Sequence, residues 1–206
     1  VKKRNLSCLV LCFNDITSVG MKALGEGLTG YHSLVTLALD NNKLADDGAV
    51  ILAESLKCMS LKVLGLSFNK IEMAGIDHIV RVSHQLQSLN ISGNKLGSDV
   101  IETLHDLVIN SAVLEVLSLD HSALGEPERL KIASGIASNS HSALRTFDGF
   151  PLGPMMVKLG SPAELELLSN DKILVYLSRL WESSHKKETP SAGAAAASTA
   201  SHLGAD

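Results

Sequence analysis

The chain has 206 residues, of which 45% are hydrophobic, 19% charged and only 3% aromatic, and its formal charge is −4. The acidic balance argues against broad nucleic-acid binding, which needs a basic face, and against an anionic membrane surface. No apolar run reaches the length of a membrane-spanning helix.

From the amino end, Val1-Lys2-Lys3-Arg4-Asn5 has no signal-peptide pattern and leads at once into a recurring phrase. Its first copy is Leu6-Ser7-Cys8-Leu9-Val10-Leu11-Cys12-Phe13-Asn14-Asp15-Ile16, and its second is Leu34-Val35-Thr36-Leu37-Ala38-Leu39-Asp40-Asn41-Asn42-Lys43-Leu44. The third runs from Leu61 through Leu64, Leu66 and Asn69 to Ile71, and the fourth from Leu86 through Leu89, Ile91 and Asn94 to Leu96. The fifth runs from Leu114 to Leu124 with Ser122 in the asparagine position, and a sixth, Leu144 to Phe150, keeps the opening and then decays. The starts at 6, 34, 61, 86, 114 and 144 are separated by 28, 27, 25, 28 and 30 residues.

This is the pattern L-x-x-L-x-L-x-x-N-x-L, and the chain resembles the leucine-rich repeat family over about residues 5 to 150. Within the phrase, leucines two apart on a short strand share one side, so Leu9 and Leu11 point to a common core. The asparagine turns the chain after the strand, and its amide can satisfy backbone groups that the turn leaves without ladder partners. Stacked copies predict a ladder of Asn14, Asn42, Asn69 and Asn94. A helix follows each turn: Ala49, Ile51, Leu52 and Leu56 have helical spacing, as do Ile76, Ile79 and Val80, and Ile101, Leu104, Leu107 and Val108. A strand and a full helix in each repeat is similar to the ribonuclease-inhibitor subclass. The resemblance implies an α/β solenoid, with parallel strands on the concave face and helices on the convex face.

The expected organisation is repeats over residues 1–153, a helical cap over 154–184 and a low-complexity, disordered tail over 185–206. Ser161-Pro162-Ala163-Glu164 has the form of a helix start, and Ile173, Leu174, Leu177, Leu180 and Trp181 make an amphipathic stripe that would shield the last repeat. The amino end has no such cap, so a preceding repeat, another domain or a partner is expected to cover it, in a natural chain that extends upstream.

Motifs of chemistry are weak. Gly25-Glu26-Gly27-Leu28-Thr29-Gly30 matches a dinucleotide fingerprint, but it closes a helix instead of opening one after a strand. The eight histidines are scattered, with no metal-ligand spacing. Cys8 and Cys12, about 13 Å apart on an extended strand, are too far apart to bridge, and three unpaired cysteines suit a reducing compartment, hence a cytoplasmic chain. In such a compartment the sequons at Asn5 and Asn90 are chance matches.

No catalytic residue, cofactor or metal is expected. The outward strand positions are small and mostly uncharged, so the concave face could admit a helix or loop of another protein. Phe13, Asp40, Phe68, Asn90, Asp120 and Asp148 are the candidate partner contacts, the carboxylates favouring a basic partner. A solvated sheet face with no ligand is the plain alternative.

The principal reading is a non-catalytic protein-interaction module or scaffold. One alternative is a GTPase regulator: the repeats resemble those of Ran GTPase-activating proteins, although an alanine- and serine-rich tail stands where those carry acid, and Ser169 to Leu174 resembles a linker of Roco-type proteins. The other is a cytoskeletal or ciliary axoneme component, since the repeat domain is similar in size to that of tropomodulins.

Overall fold

The computed structural model describes residues 6–28, 31–148 and 150–151. The proposed cap, Trp181 and the tail lie outside these residues. Strands and helices alternate: β1 (Cys8–Val10), α1 (Ser18–Leu28), β2 (Thr36–Ala38), α2 (Ala45–Leu56), β3 (Val63–Gly65), α3 (Met73–Arg81), β4 (Ser88–Asn90), α4 (Val100–Asn110), β5 (Val116–Ser118), α5 (Glu126–Ser138), β6 (Thr146–Phe147) and β7 (Phe150–Pro151).

The strands form one sheet in chain order, parallel from β1 to β6. Register follows the phrase: Leu9 stands beside Leu37, Leu37 beside Leu64, Leu64 beside Leu89, Leu89 beside Leu117 and Leu117 beside Phe147. A single slip would turn every leucine to the other face, so the common core holds the register firmly. The sheet departs from the all-parallel expectation at its end. After Phe147 the chain turns back, and β7 pairs antiparallel with β6.

Behind the strands, Leu37, Leu39, Leu64, Leu66, Leu89, Ile91, Leu117 and Leu119 are buried against Leu52, Leu56, Ile76, Ile79, Leu104 and Leu107 of the helices. Each repeat buries its apolar stripe on its neighbours and not within itself, which is the logic of a solenoid. The corresponding Leu6, Leu9, Leu11 and Ile16 of the first repeat are only half-buried.

Neighbouring repeats also exchange polar contacts. The Asp46 carboxylate on α2 accepts from Glu72 N (2.7 Å) and Gly75 N (3.1 Å), so the N-terminus of α3 is capped by the preceding repeat. Gly75 permits this approach, since a Cβ there would come within 2.6 Å of that carboxylate oxygen and 2.9 Å of Ala49 Cβ.

Candidate partner-binding face

The turn after each strand is held by the asparagines. Asn42 Nδ2 donates to Leu39 O (2.8 Å) in its own repeat and Leu11 O (3.0 Å) in the one before, and its Oδ1 accepts from Ile16 N (3.0 Å). Asn94 does the same more fully: Nδ2 reaches Ile91 O and Leu66 O, both at 2.9 Å, and Oδ1 accepts from Asn69 N (3.0 Å) and Ile71 N (3.1 Å). Asn69 Nδ2 donates to Leu66 O (3.0 Å), Ser67 O (3.1 Å) and Leu39 O (2.9 Å), but its buried Oδ1 has no hydrogen-bond partner. There the preceding turn takes another path: Ala45, left-handed at φ 51°, gives its N–H to the main-chain oxygen of Asn69 (3.1 Å). Asn14 is exposed and bonds only Leu11 O (2.9 Å) and Cys12 O (3.0 Å) of its own repeat.

The residue just before this asparagine position forms a second row. Phe13, Asn41, Phe68, Gly93 and His121 have φ of 57°, 57°, 53°, 66° and 54°. Their N–H groups extend the ladder past the strands, Phe13 N to Asp40 O (2.9 Å), Asn41 N to Ser67 O (2.7 Å), Phe68 N to Ser92 O (2.9 Å) and Gly93 N to Asp120 O (2.7 Å). Glycine and asparagine accept this conformation readily, whereas a phenylalanine held there is strained. The Phe68 ring lies over Gly93, where an added Cβ would come within 2.5 Å of it, and reaches towards His121 with ring centroids 6.1 Å apart. Phe13 is 80% exposed and Phe68 48%.

One position before this row, in line with Cys12 and Ser67, lies Asp40. Its Oδ1 accepts from Ser67 N (2.9 Å), Ser67 Oγ (2.6 Å) and, at 3.5 Å, Asn90 Nδ2, while its Oδ2 accepts from Cys12 Sγ at 3.5 Å. The carboxylate lies close over the bare backbone of Gly65, where any side chain would strike it. Desolvation pushes the Cys12 thiol above its ordinary value; a backbone hydrogen bond at Asp40 opposes this, and the Asp40 carboxylate adds to it. Asn90 turns its own Oδ1 to Ser92 N (3.1 Å), so it braces the face from within.

At the other end the expectation for Asp148 is corrected. It is only 6% exposed and cannot meet a partner. The phrase stops after Phe147, and Asp148, at φ 49°, turns the chain into β7. In earlier repeats the N–H equivalent to that of Leu119 donates to a main-chain carbonyl of the next strand, as Leu39 N does to Gly65 O. Here Leu119 N donates to Asp148 Oδ1 (2.6 Å), and the other carboxylate oxygen is ion-paired with Arg129 on α5. Burial lowers the Arg129 pKa, and the charge of Asp120 acts in the opposite direction. Nothing in the linear pattern marked this pair, because Asp148 occupies a strand position whose equivalents face outward.

Among the described residues no group of three or more His, Cys, Asp or Glu could hold a metal ion, and no helix is long and apolar enough to cross a membrane. Cys8, Cys12 and Cys58 are free. The Gly25–Gly27 stretch lies within α1 towards its C-terminal end, as ordinary repeat sequence should.

A sheet of parallel repeat strands, ended by one antiparallel strand, backed by helices and turned by buried asparagines, defines a leucine-rich repeat solenoid. Family models for leucine-rich repeats match residues 2–25, 32–53 and 85–107. The chain is 30% identical over 162 residues to ribonuclease inhibitor of Sus scrofa, covering 76% of this chain and 34% of that protein. It is 35% identical over 104 residues to NACHT, LRR and PYD domains-containing protein 13 of Homo sapiens, 48% of this chain and 10% of that one. Against RAN GTPase-activating protein 2 of Arabidopsis thaliana it is 29% identical over 114 residues, 53% of this chain and 21% of that one. Among solved structures, leiomodin-1 actin-binding site 2 superposes with a TM-score of 0.51 at 20% identity, covering 65% of this chain and 80% of that one. The chain thus belongs with the leucine-rich repeat proteins, in the ribonuclease-inhibitor-like subclass, and spans a tenth to a third of the length of these curated relatives.

Proposed function

We propose that this chain is a non-catalytic interaction module that holds a partner protein against its concave sheet face. One observation carries the reading: Val10, Phe13 and Phe68 are 62%, 80% and 48% exposed at the sheet and its strand ends, whereas the other exposed large apolar side chains among the described residues, Val19, Tyr31, Val35, Met73 and Val113, are scattered over helices and loops. Large apolar side chains grouped at one rim of a sheet favour removal from water by another surface. The small side chains of the face itself, such as Thr36, Ala38, Gly65 and Ser88, leave room for a helix or loop. A fold built on an apolar core leaves little place for a catalytic constellation, and the Asp40 network is occupied in holding the face together. A reducing, cytoplasmic setting suits three free cysteines.

The test is cross-linking mass spectrometry on the chain captured from its native lysate. The expected result is cross-links to one protein from Lys43, Lys62 and Lys70, which border the face, abolished when Phe68→Glu is introduced without loss of circular dichroism. Cross-links confined to Lys22 and Lys131 on the helices and Lys57 at the end of α2 would overturn the reading. Two alternative partners are each open to a direct test: a GTPase, by single-turnover GTP hydrolysis with a GTPase panel, and actin filaments, by co-sedimentation.

A further inference from the structure

We propose that the partner is anchored by an arginine whose guanidinium meets the Asp40 carboxylate and lies against the Phe13 and Phe68 rings, an inference that rests on the concave-face reading. Its ground is an imbalance of charge. Asp40 is held by Ser67 N–H, Ser67 O–H, Asn90 amide and Cys12 S–H, and every one of these donors is neutral. Among the described residues it makes no ion pair, and no Lys, Arg or His stands at the outward strand positions from Cys8 to Thr146. The other carboxylates of this sheet are treated differently: Asp148 is paired with Arg129, and Asp120 acts on the same guanidinium. Of the three candidate aspartates, Asp40 is the one left for a cation supplied from outside.

The geometry selects the kind of cation. Oδ1 takes three of the donors, and Oδ2 has only a thiol, a weak donor, so accepting capacity remains on Oδ2. Phe13 N donates to the Asp40 carbonyl, and Ser67, which holds the carboxylate, directly precedes Phe68. Continued past the strands, the register sets Cys12 and Ser67 beside Asp40, and Phe13 and Phe68 either side of Asn41, one position further along the ladder. Both rings are exposed, and both are held in a left-handed backbone conformation in which Asn41 and Gly93 of the neighbouring repeats are comfortable. A cation seated on the carboxylate would have these exposed rings as its aromatic neighbours, one position along the ladder. A planar, weakly hydrated guanidinium stacks on such rings, whereas an ammonium keeps its water, so arginine fits better than lysine.

The test is an NMR titration of the ¹⁵N-labelled chain with N-acetyl-arginine methylamide, followed at the amides of Phe13, Asn41, Ser67 and Phe68. Saturable shifts are expected there, weaker by about fivefold with N-acetyl-lysine methylamide or in Phe68→Leu. Asp40→Asn, which keeps an acceptor for Ser67, should remove them, and Asp120→Asn should leave them unchanged. No saturable shift, or equal shifts with both amides and in Asp40→Asn, would overturn the arginine anchor. The lysate cross-links from Lys43, Lys62 and Lys70 would persist in that case if the concave-face reading holds, and would be missing if that reading is the one at fault.

Discussion

The two ends of the sheet are built from one phrase and finished differently. Around Asp148 the chain satisfies itself: the carboxylate closes the last open rung at Leu119 N, Arg129 neutralises it from α5, and β7 folds back along β6. Around Asp40 the same sheet presents a carboxylate on neutral donors, with two exposed phenylalanines one position further along the ladder. The difference teaches that in a repeat array the phrase supplies the scaffold, and the positions that the phrase leaves free decide whether a region is sealed or receptive.

The comparison can be broken hardest in the core. Leu64, flanked by Leu37 and Leu89 and fully buried, should cost about 2–5 kcal/mol when changed to Ala, whereas Leu9→Ala in the half-buried first repeat should cost well under half of that. Urea midpoints of the two variants decide it, and equal losses would mean that the first repeat is packed as tightly as the third. Next comes the sealed end. Arg129→Met leaves the Asp148 carboxylate buried without its cation and should cost about 3 kcal/mol, while the double change with Asp148→Asn should recover part of the loss.

The asparagine ladder gives a graded series. Asn94→Leu strips partners from buried groups of two repeats and should cost about 1–3 kcal/mol, more than Asn69→Leu, whose Oδ1 is idle, and far more than Asn14→Leu at an exposed turn. Three equal urea midpoints would sink this ordering.

The smallest effect concerns Asp77, which accepts from Arg81 (2.7 Å) and from Thr103 (2.7 Å) of the next repeat. Its pKa is lowered chiefly by the hydrogen bond from Arg81. The contribution is therefore complete above the ordinary carboxylate range and is lost as pH falls through the depressed value. Thermal melts should show a slight acid-side loss in the native chain that Asp77→Asn lacks.

Much of this architecture can be read from spacing alone, because leucines at fixed offsets have only one way to share a core. The strands, their register and the turn positions of Asn42, Asn69 and Asn94 follow from that. Three features do not. The burial of Asp148 depends on where the repeat stops, and the stop is set by the return of the chain into β7, which no periodic signal announces. The seat of Asp40 depends on Gly65 in the next strand, a contact between residues 25 apart in sequence (65 − 40) whose meaning appears only when strands are laid side by side. The capping of α3 by Asp46 likewise joins two repeats, while the usual signal for a cap is sought just before the helix. Phe13 and Phe68 were visible as strand-end residues, but their left-handed backbone was not, since aromatic residues seldom occupy it.

The backward reach of the asparagines carries a lesson about how such a chain can change its length. Asn42 and Asn94 bond the turn of the repeat before them and Asn69 the strand-end carbonyl of its own predecessor, while the strands keep identical register although the repeats differ from 25 to 30 residues. The joints at Asn42, Asn69 and Asn94 thus share one coupling, the amide's bond to the strand-end carbonyl of the preceding repeat, whatever the length of chain between them. Duplicating or deleting one whole unit would restore the same coupling on both sides, whereas a cut inside a unit would leave one half of it bare. Growth by whole modules is therefore the path of least damage for this fold, and the face around Asp40 could be carried intact through many such changes of length.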